Sequence, residues 1–202
     1  MTHYRAARLL DSTTRPDAGA VRFGLMAARV AGATALTAVA AQVSITLPGS
    51  AIPFTLQPLA VLLAGVLLGA RLGALSQVLY LMAGVAGASA FAWSPVLLPG
   101  AARLLGPTGG FLLAFPLAAG LAGWLGDRGV TKTTLGTVVA MVAGLAVVYA
   151  GGVAWASLLV PASITLSGLA TFTPYAAADL IKVALFAPLV PAARRALFGA
   201  RP

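Results

Sequence analysis

Asp179 and Lys182 stand three residues apart in the apolar stretch YAAADLIKVALF, residues 175–186. On a helix that spacing puts both side chains on one face, about one turn apart. Together they offer one strong acceptor and one strong donor, and hydrogen bonds made by charged groups are the stronger kind. A charge inside a membrane-spanning helix costs a few kcal/mol, so such residues face a cavity and pair. Two readings follow: a pair that only fixes the register of a helix bundle, or one wall of a polar site. The other groups with chemical capacity are the Gln57 carboxamide, the Thr55 hydroxyl, the phenols of Tyr80, Tyr149 and Tyr175, Trp155, and the turn GPTGGF at 106–111. Hydrolytic chemistry is poorly equipped. The chain has no Cys and no Glu, no HExxH, and a single histidine, His3, in a polar tail.

The elements that must position these groups are membrane helices. Of 202 residues, 60% are hydrophobic and 8% charged, against about 25% charged in soluble domains. Mean hydropathy is +0.98. The net charge of +9 does not point to nucleic acid. The basic residues are not interleaved with aromatics, and apolar spans separate them, so they read as topology signals.

Six stretches approach the roughly 17–25 residues a spanning helix needs. They lie near 23–43, 55–70, 72–88, 109–126, 134–159 and 172–193. The expected architecture is an all-α membrane protein of six transmembrane helices. Arg5, Arg8, Arg15, Arg22, Arg71, Arg128, Lys132, Arg194, Arg195 and Arg201 fall on one side and only Arg103 on the other. By the positive-inside rule both termini are cytoplasmic. The chain then divides into a cytoplasmic tail 1–22 without a cleavable signal pattern, a membrane domain 23–193 and a basic tail 194–202.

The outer connections SITLPGSAIPF, SAFAWSPVLLPGAARLLGPT and VPASITLSGLA are nearly uncharged and rich in Pro, Gly and Ser. The second is long enough to act as a lid. Counting inward from Thr171, Asp179 lies about 12 Å deep at ~1.5 Å per residue. Gln57, Tyr80, Tyr149, Trp155 and Tyr175 gather at comparable depth. The backbone N–H groups that open the fourth span, at Gly109 and Gly110 after Thr108, suit an anion or a carbonyl. GPTGGF is not a P-loop, because no Gly-Lys-Ser/Thr follows. The site therefore fits a small molecule with adjacent N–H and C=O groups and an apolar body. In the first span Ala27, Ala31 and Ala35 recur one turn apart, a spacing that permits close helix approach, within the bundle or to a partner.

Three stretches carry a family resemblance: AAQVSITLPGSAIPFTLQPLAVLLAGVLLGARLGALSQVLYLMAGVAG, LLGPTGGFLLAFPLAAGLAG and TPYAAADLIKVALFAPL. Over roughly residues 25–193 the sequence resembles the BioY family, the biotin-binding S components of energy-coupling factor (ECF) transporters. The resemblance implies a six-helix S-component fold, capture of biotin from the outside, and coupling to a transmembrane T component and ATPases. It implies no resident cofactor. It casts Ala27, Ala31 and Ala35 as the docking residues. Asp179 would accept a ureido N–H of biotin, and Lys182 would donate to a carbonyl or carboxylate. Tyr80, Phe91, Trp93 and Tyr175 would flank the thiophane ring and valeryl chain. The carboxylate would meet either Gly109 and Gly110 or Arg103. Departures from the family pattern are Phe111 in place of the Tyr of GPTGGY, GASAFAW where Gly-Leu-Pro-Val-Phe is usual, and Pro58 where Thr is common.

Three other readings compete. One is an S component for another vitamin. A second is an intramembrane enzyme using Asp179 as a base, which lacks a visible second catalytic group. The third is a structural membrane subunit.

Overall fold

A computed structural model describes residues 18–46, 52–94, 97–159 and 169–198. His3, Arg5, Arg8 and Arg15 of the expected N-terminal tail, Arg201, and parts of all three outer connections lie outside the described residues.

The helices follow the apolar stretches closely. They are α1 Ala18–Gln42, α2 Gln57–Leu68, α3 Ala70–Val85, the short α4 Ala102–Leu105, α5 Gly109–Asp127, α6 Thr134–Leu159, α7 Thr173–Phe186 and α8 Val190–Phe198. A 3-10 turn at Ala187–Leu189 joins the last two, where Pro188 supplies no backbone N–H. Four stretches are long and apolar enough to cross a membrane: Ala18–Gln42, Gly109–Asp127, Thr134–Leu159 and Thr173–Leu197. The second and third expected spans are shorter apolar helices, of 12 and 16 residues. Outward faces are apolar: Leu117 is 70% and Leu158 77% exposed, as a lipid-facing surface requires.

The expected helical class holds, with one short addition in the first outer connection. Ser44–Thr46 and Pro53–Thr55 form an antiparallel ribbon, β1 and β2, pairing Ser44 with Thr55 and Ile45 with Phe54. β-branched and aromatic residues favour that pairing, and Pro53 tolerates the first strand position.

The core forms around α5. Its Leu112, Phe115, Ala118 and Ala119 pack with Val61 of α2, Tyr80 of α3 and Val148 of α6. A second cluster joins Leu62 and Val66 of α2 to Met141 and Leu145 of α6 and Val183 of α7. Small residues let the backbones meet: a Cβ on Gly123 of α5 would sit 2.5 Å from the Gly69 carbonyl carbon. Gly69 itself, at φ +85°, makes the sharp α2–α3 turn, in a region that glycine enters at little cost. Asp127 at the end of α5 accepts the exposed Ala70 N–H at 2.9 Å and ties that turn down. At the same end Arg194 of α8 donates to the Val66 carbonyl at 2.8 Å and the Thr131 hydroxyl at 2.7 Å.

Candidate functional site

The start of α2 carries the first part of the site. The Thr55 hydroxyl accepts the Gln57 backbone N–H at 3.2 Å and donates to Gln57 Oε1 at 3.2 Å. Gln57 Nε2 in turn donates to the Tyr80 hydroxyl. Tyr80 is fully buried, edge-on to Phe91 at 5.6 Å between ring centres. It holds the Gln57 carboxamide from behind.

α7 brings the charges to the same place. Lys182 Nζ donates to Asp179 Oδ1 at 2.6 Å and to the Thr55 carbonyl at 2.7 Å. It also lies 4.1 Å from the centre of the Phe54 ring, a favourable place for a cation. The Tyr149 hydroxyl on α6 donates to Asp179 Oδ2 at 2.8 Å. Tyr175 donates to the Ile52 carbonyl at 3.0 Å and packs on Phe54. The pair is thus built into α2, α6, α7 and the ribbon. Spare capacity remains: a carboxylate has about four lone-pair sites and an ammonium three donors.

The opposite wall comes from the long connection and the start of α5. Arg103 is 5% exposed, so it is not a solvated loop charge. Its Nη2 donates to the Ala92 carbonyl at 2.8 Å and its Nε to the Leu98 carbonyl at 3.0 Å. Burial lowers its pKa below the usual value, and Tyr80 partly opposes the shift. An arginine nonetheless stays charged. The buried Thr108 hydroxyl has no hydrogen-bond partner among the described residues. Leaving a buried polar group unpaired is costly.

These walls border about 670 Å³ of empty space, part of it open to solvent outside the molecule, with the concave and mostly apolar lining of small-molecule sites. Of the expected residues, Thr55, Gln57, Tyr149, Tyr175, Asp179 and Lys182 line it on one side. Phe91, Arg103, Thr108 and Phe111 line it on the other.

Four expected residues do not line it. Tyr80 stands one layer behind. Trp93 is 68% exposed and turned away. Gly109 donates its N–H to the Gly106 carbonyl at 3.0 Å. Gly110 lies against Trp155 and the Gly151 carbonyl of α6, leaving no room for a side chain. Trp155 donates to the Gly106 carbonyl at 3.0 Å and braces that turn. The two glycines serve close helix packing.

Sequence reasoning missed Phe54, Leu112, Phe115, Val148 and Phe172, which supply much of the apolar wall. One signal was present: residues 108, 111, 112 and 115 have the spacing of a single helix face. Phe54 and Phe172 carry no comparable signal, because their direction depends on the ribbon and on the turn before α7.

Apolar helices around a cavity with one buried ion pair define a multi-pass integral membrane protein with a small-molecule site. The comparisons narrow the class. The chain belongs to the BioY family, whose family model matches residues 15–199. It is 37% identical over 150 residues to a Pyrococcus horikoshii protein described as a probable biotin transporter BioY, covering 74% of this chain and 84% of the relative. It is 37% identical over 155 residues to the Thermotoga maritima biotin transporter BioY, covering 76% and 86%. A crystal structure of the S-component for biotin from an ECF-type ABC transporter matches with a TM-score of 0.75 at 24% identity. That match covers 90% of this chain and 95% of the other, and the two share a fold. The protein is an integral protein of the cell membrane.

Proposed function

We propose that this chain is the biotin-capturing S component of an ECF-type ABC transporter. The observation that carries the reading is the Asp179–Lys182 pair, 2.6 Å apart on the wall of a partly enclosed cavity. A ureido ring presents two N–H donors and one carbonyl, the complement of that pair. The names of the relatives support biotin as the ligand.

In this reading Asp179 accepts a ureido N–H, and Lys182 donates to the ureido carbonyl. Gln57 and Thr55 border the ring, Tyr149 keeps the Asp179 carboxylate oriented, and Tyr175 ties α7 to the Ile52 carbonyl. The rings of Phe54, Phe91, Phe111 and Phe172 flank the thiophane and valeryl groups. The carboxylate goes to Arg103 and the Thr108 hydroxyl rather than to the glycines. Two facts favour this choice: the Gly109 N–H is already used, whereas Thr108 has no partner among the described residues.

The finer topology belongs to the same proposal. The chain crosses the membrane six times, with α2 and α3 as short spans. Both termini are cytoplasmic, 1–22 and 194–202 are cytoplasmic tails, and the cavity opens outward. Ala27, Ala31 and Ala35 on the exposed face of α1 dock to a transmembrane T component. No resident cofactor takes part, and ATP hydrolysis belongs to partner ATPases. The role is binding and transport, not catalysis.

Calorimetric titration of the purified chain with biotin tests the reading. One-to-one binding with a submicromolar Kd is expected. Properly folded protein that ignores biotin but binds another vitamin would replace the ligand and keep the class.

A further inference from the structure

Residues 86–94 lead from α3 to the cavity wall without helix or strand. Phe91 and Ala92 of this segment line the cavity. Its backbone carbonyls are held by side chains from other elements. Gln42, the last residue of α1, shares its two Nε2 hydrogens among three carbonyls, of which Ser89 at 3.1 Å and Phe91 at 3.3 Å belong to this segment. The same nitrogen lies 3.1 Å from the Ala38 carbonyl of its own helix. Ser44 donates to the Trp93 carbonyl at 3.3 Å, and Arg103 holds Ala92 from the other side.

The Phe91 ring has a prepared seat. It lies directly over Gly84, where any side chain would collide with it, and edge-on to Tyr80. That seat is useful only if the backbone at 89–91 stays in place; the segment's own bonds run from Ala86, Gly87 and Ala88 back to α3 and from Ala90 to Ala88, and none of these donors reaches the Ser89 or Phe91 carbonyl. Gln42 supplies the missing donors. It does not line the cavity, so it acts through Phe91.

We propose that Gln42 is a positioning residue for the ligand site. It pins Ser89 and Phe91 so that the Phe91 ring closes one wall, and it thereby slows release of the ligand. The inference rests on the biotin reading above. It requires donor hydrogens at position 42: Gln42→Glu keeps the shape but loses them, and Gln42→Leu loses every polar atom. Gln42→Lys keeps a donor.

The experiment is a chase of labelled biotin by unlabelled biotin from the full chain in lipid nanodiscs, beside association rates and the melting temperature of the ligand-free protein. Gln42→Glu and Gln42→Leu should release biotin about five- to tenfold faster, from the loss of two modest hydrogen bonds. Association should stay within twofold, the melting temperature should hold, and Gln42→Lys should keep slow release. Release within twofold of wild type in both variants overturns the inference while leaving biotin as the ligand. So does a lowered melting temperature with slowed association, the mark of a general structural role, or a Gln42→Lys variant as fast as Gln42→Leu. Wild-type protein that does not bind biotin overturns this inference and the functional reading together.

Discussion

The Asp179 carboxylate is held from two helices at once: Lys182, one turn along α7, binds Oδ1 at 2.6 Å, and Tyr149 of α6 binds Oδ2 at 2.8 Å. The charge pair is therefore an oriented acceptor as well as a compensated one. Preorganised groups lose little freedom when a ligand arrives.

Asp179→Asn should weaken biotin binding at least tenfold by calorimetry. It also leaves the Lys182 ammonium buried without its counter-charge, and breaking a buried pair costs about 3–5 kcal/mol. A lower melting temperature is expected. Adding Lys182→Met removes the orphaned charge and should restore stability without restoring affinity. A double variant that still binds biotin normally would reduce the pair to a bundle register device.

Tyr149→Phe keeps the ring against Phe111, at 5.9 Å between centres, and removes only the hydroxyl donated to Asp179. A loss of roughly 1 kcal/mol, about fivefold in Kd, is expected. The melting temperature should change little. An unchanged Kd would mean that Lys182 alone orients the carboxylate.

Arg103 is the cavity cation without a carboxylate partner among the salt-bridged residues described. Wild-type protein should prefer biotin to its methyl ester by more than tenfold, because only the free acid carries a charge for the guanidinium. Arg103→Gln should narrow that ratio to within about threefold. Since Arg103 also holds the Ala92 and Leu98 carbonyls, the ratio between the two ligands, rather than either affinity alone, isolates the charge effect. A ratio unchanged by the substitution would place the carboxylate elsewhere.

Ala27, Ala31 and Ala35 are exposed on α1, and Gly24 and Gly32 have open space where a Cβ would stand. Ala31→Trp should abolish biotin uptake by cells carrying the whole transporter while leaving binding by the isolated chain intact. Normal uptake would remove this face as the docking surface.

Gly123→Val tests the core. Its side chain would meet the Gly69 backbone, which cannot yield as a flexible side chain would. A destabilisation of about 1–3 kcal/mol or more is expected from overpacking, read as a lower melting temperature in detergent. A neutral result would show that the α2–α3 turn can move away from α5.

The sequence alone determined what depends on composition and local periodicity. Long apolar runs with few charges dictate membrane helices, because the bilayer core cannot satisfy an irregular backbone. The three-residue spacing of Asp179 and Lys182 fixes their pairing, because helix geometry alone puts them side by side. The Gly-rich turn at 106–110 marks the start of α5 for the same local reason. Tertiary structure decided the rest, because it depends on contacts between residues far apart in the chain. Lys182 reaches the Thr55 carbonyl across 127 positions, and Tyr175 reaches Ile52 across 123. Tyr80 and Trp93 look equally suited to a site in the sequence. Packing buries one behind Gln57 and turns the other outward. Gly109 and Gly110 offer free N–H groups on paper, yet the Gly106 carbonyl takes the first, and close packing, of Gly109 on Leu104 and of Gly110 on Trp155 and Gly151, keeps both off the cavity wall. The short ribbon that aims Phe54 and Thr55 inward exists only because two separated tripeptides pair, and no local periodicity announces that register.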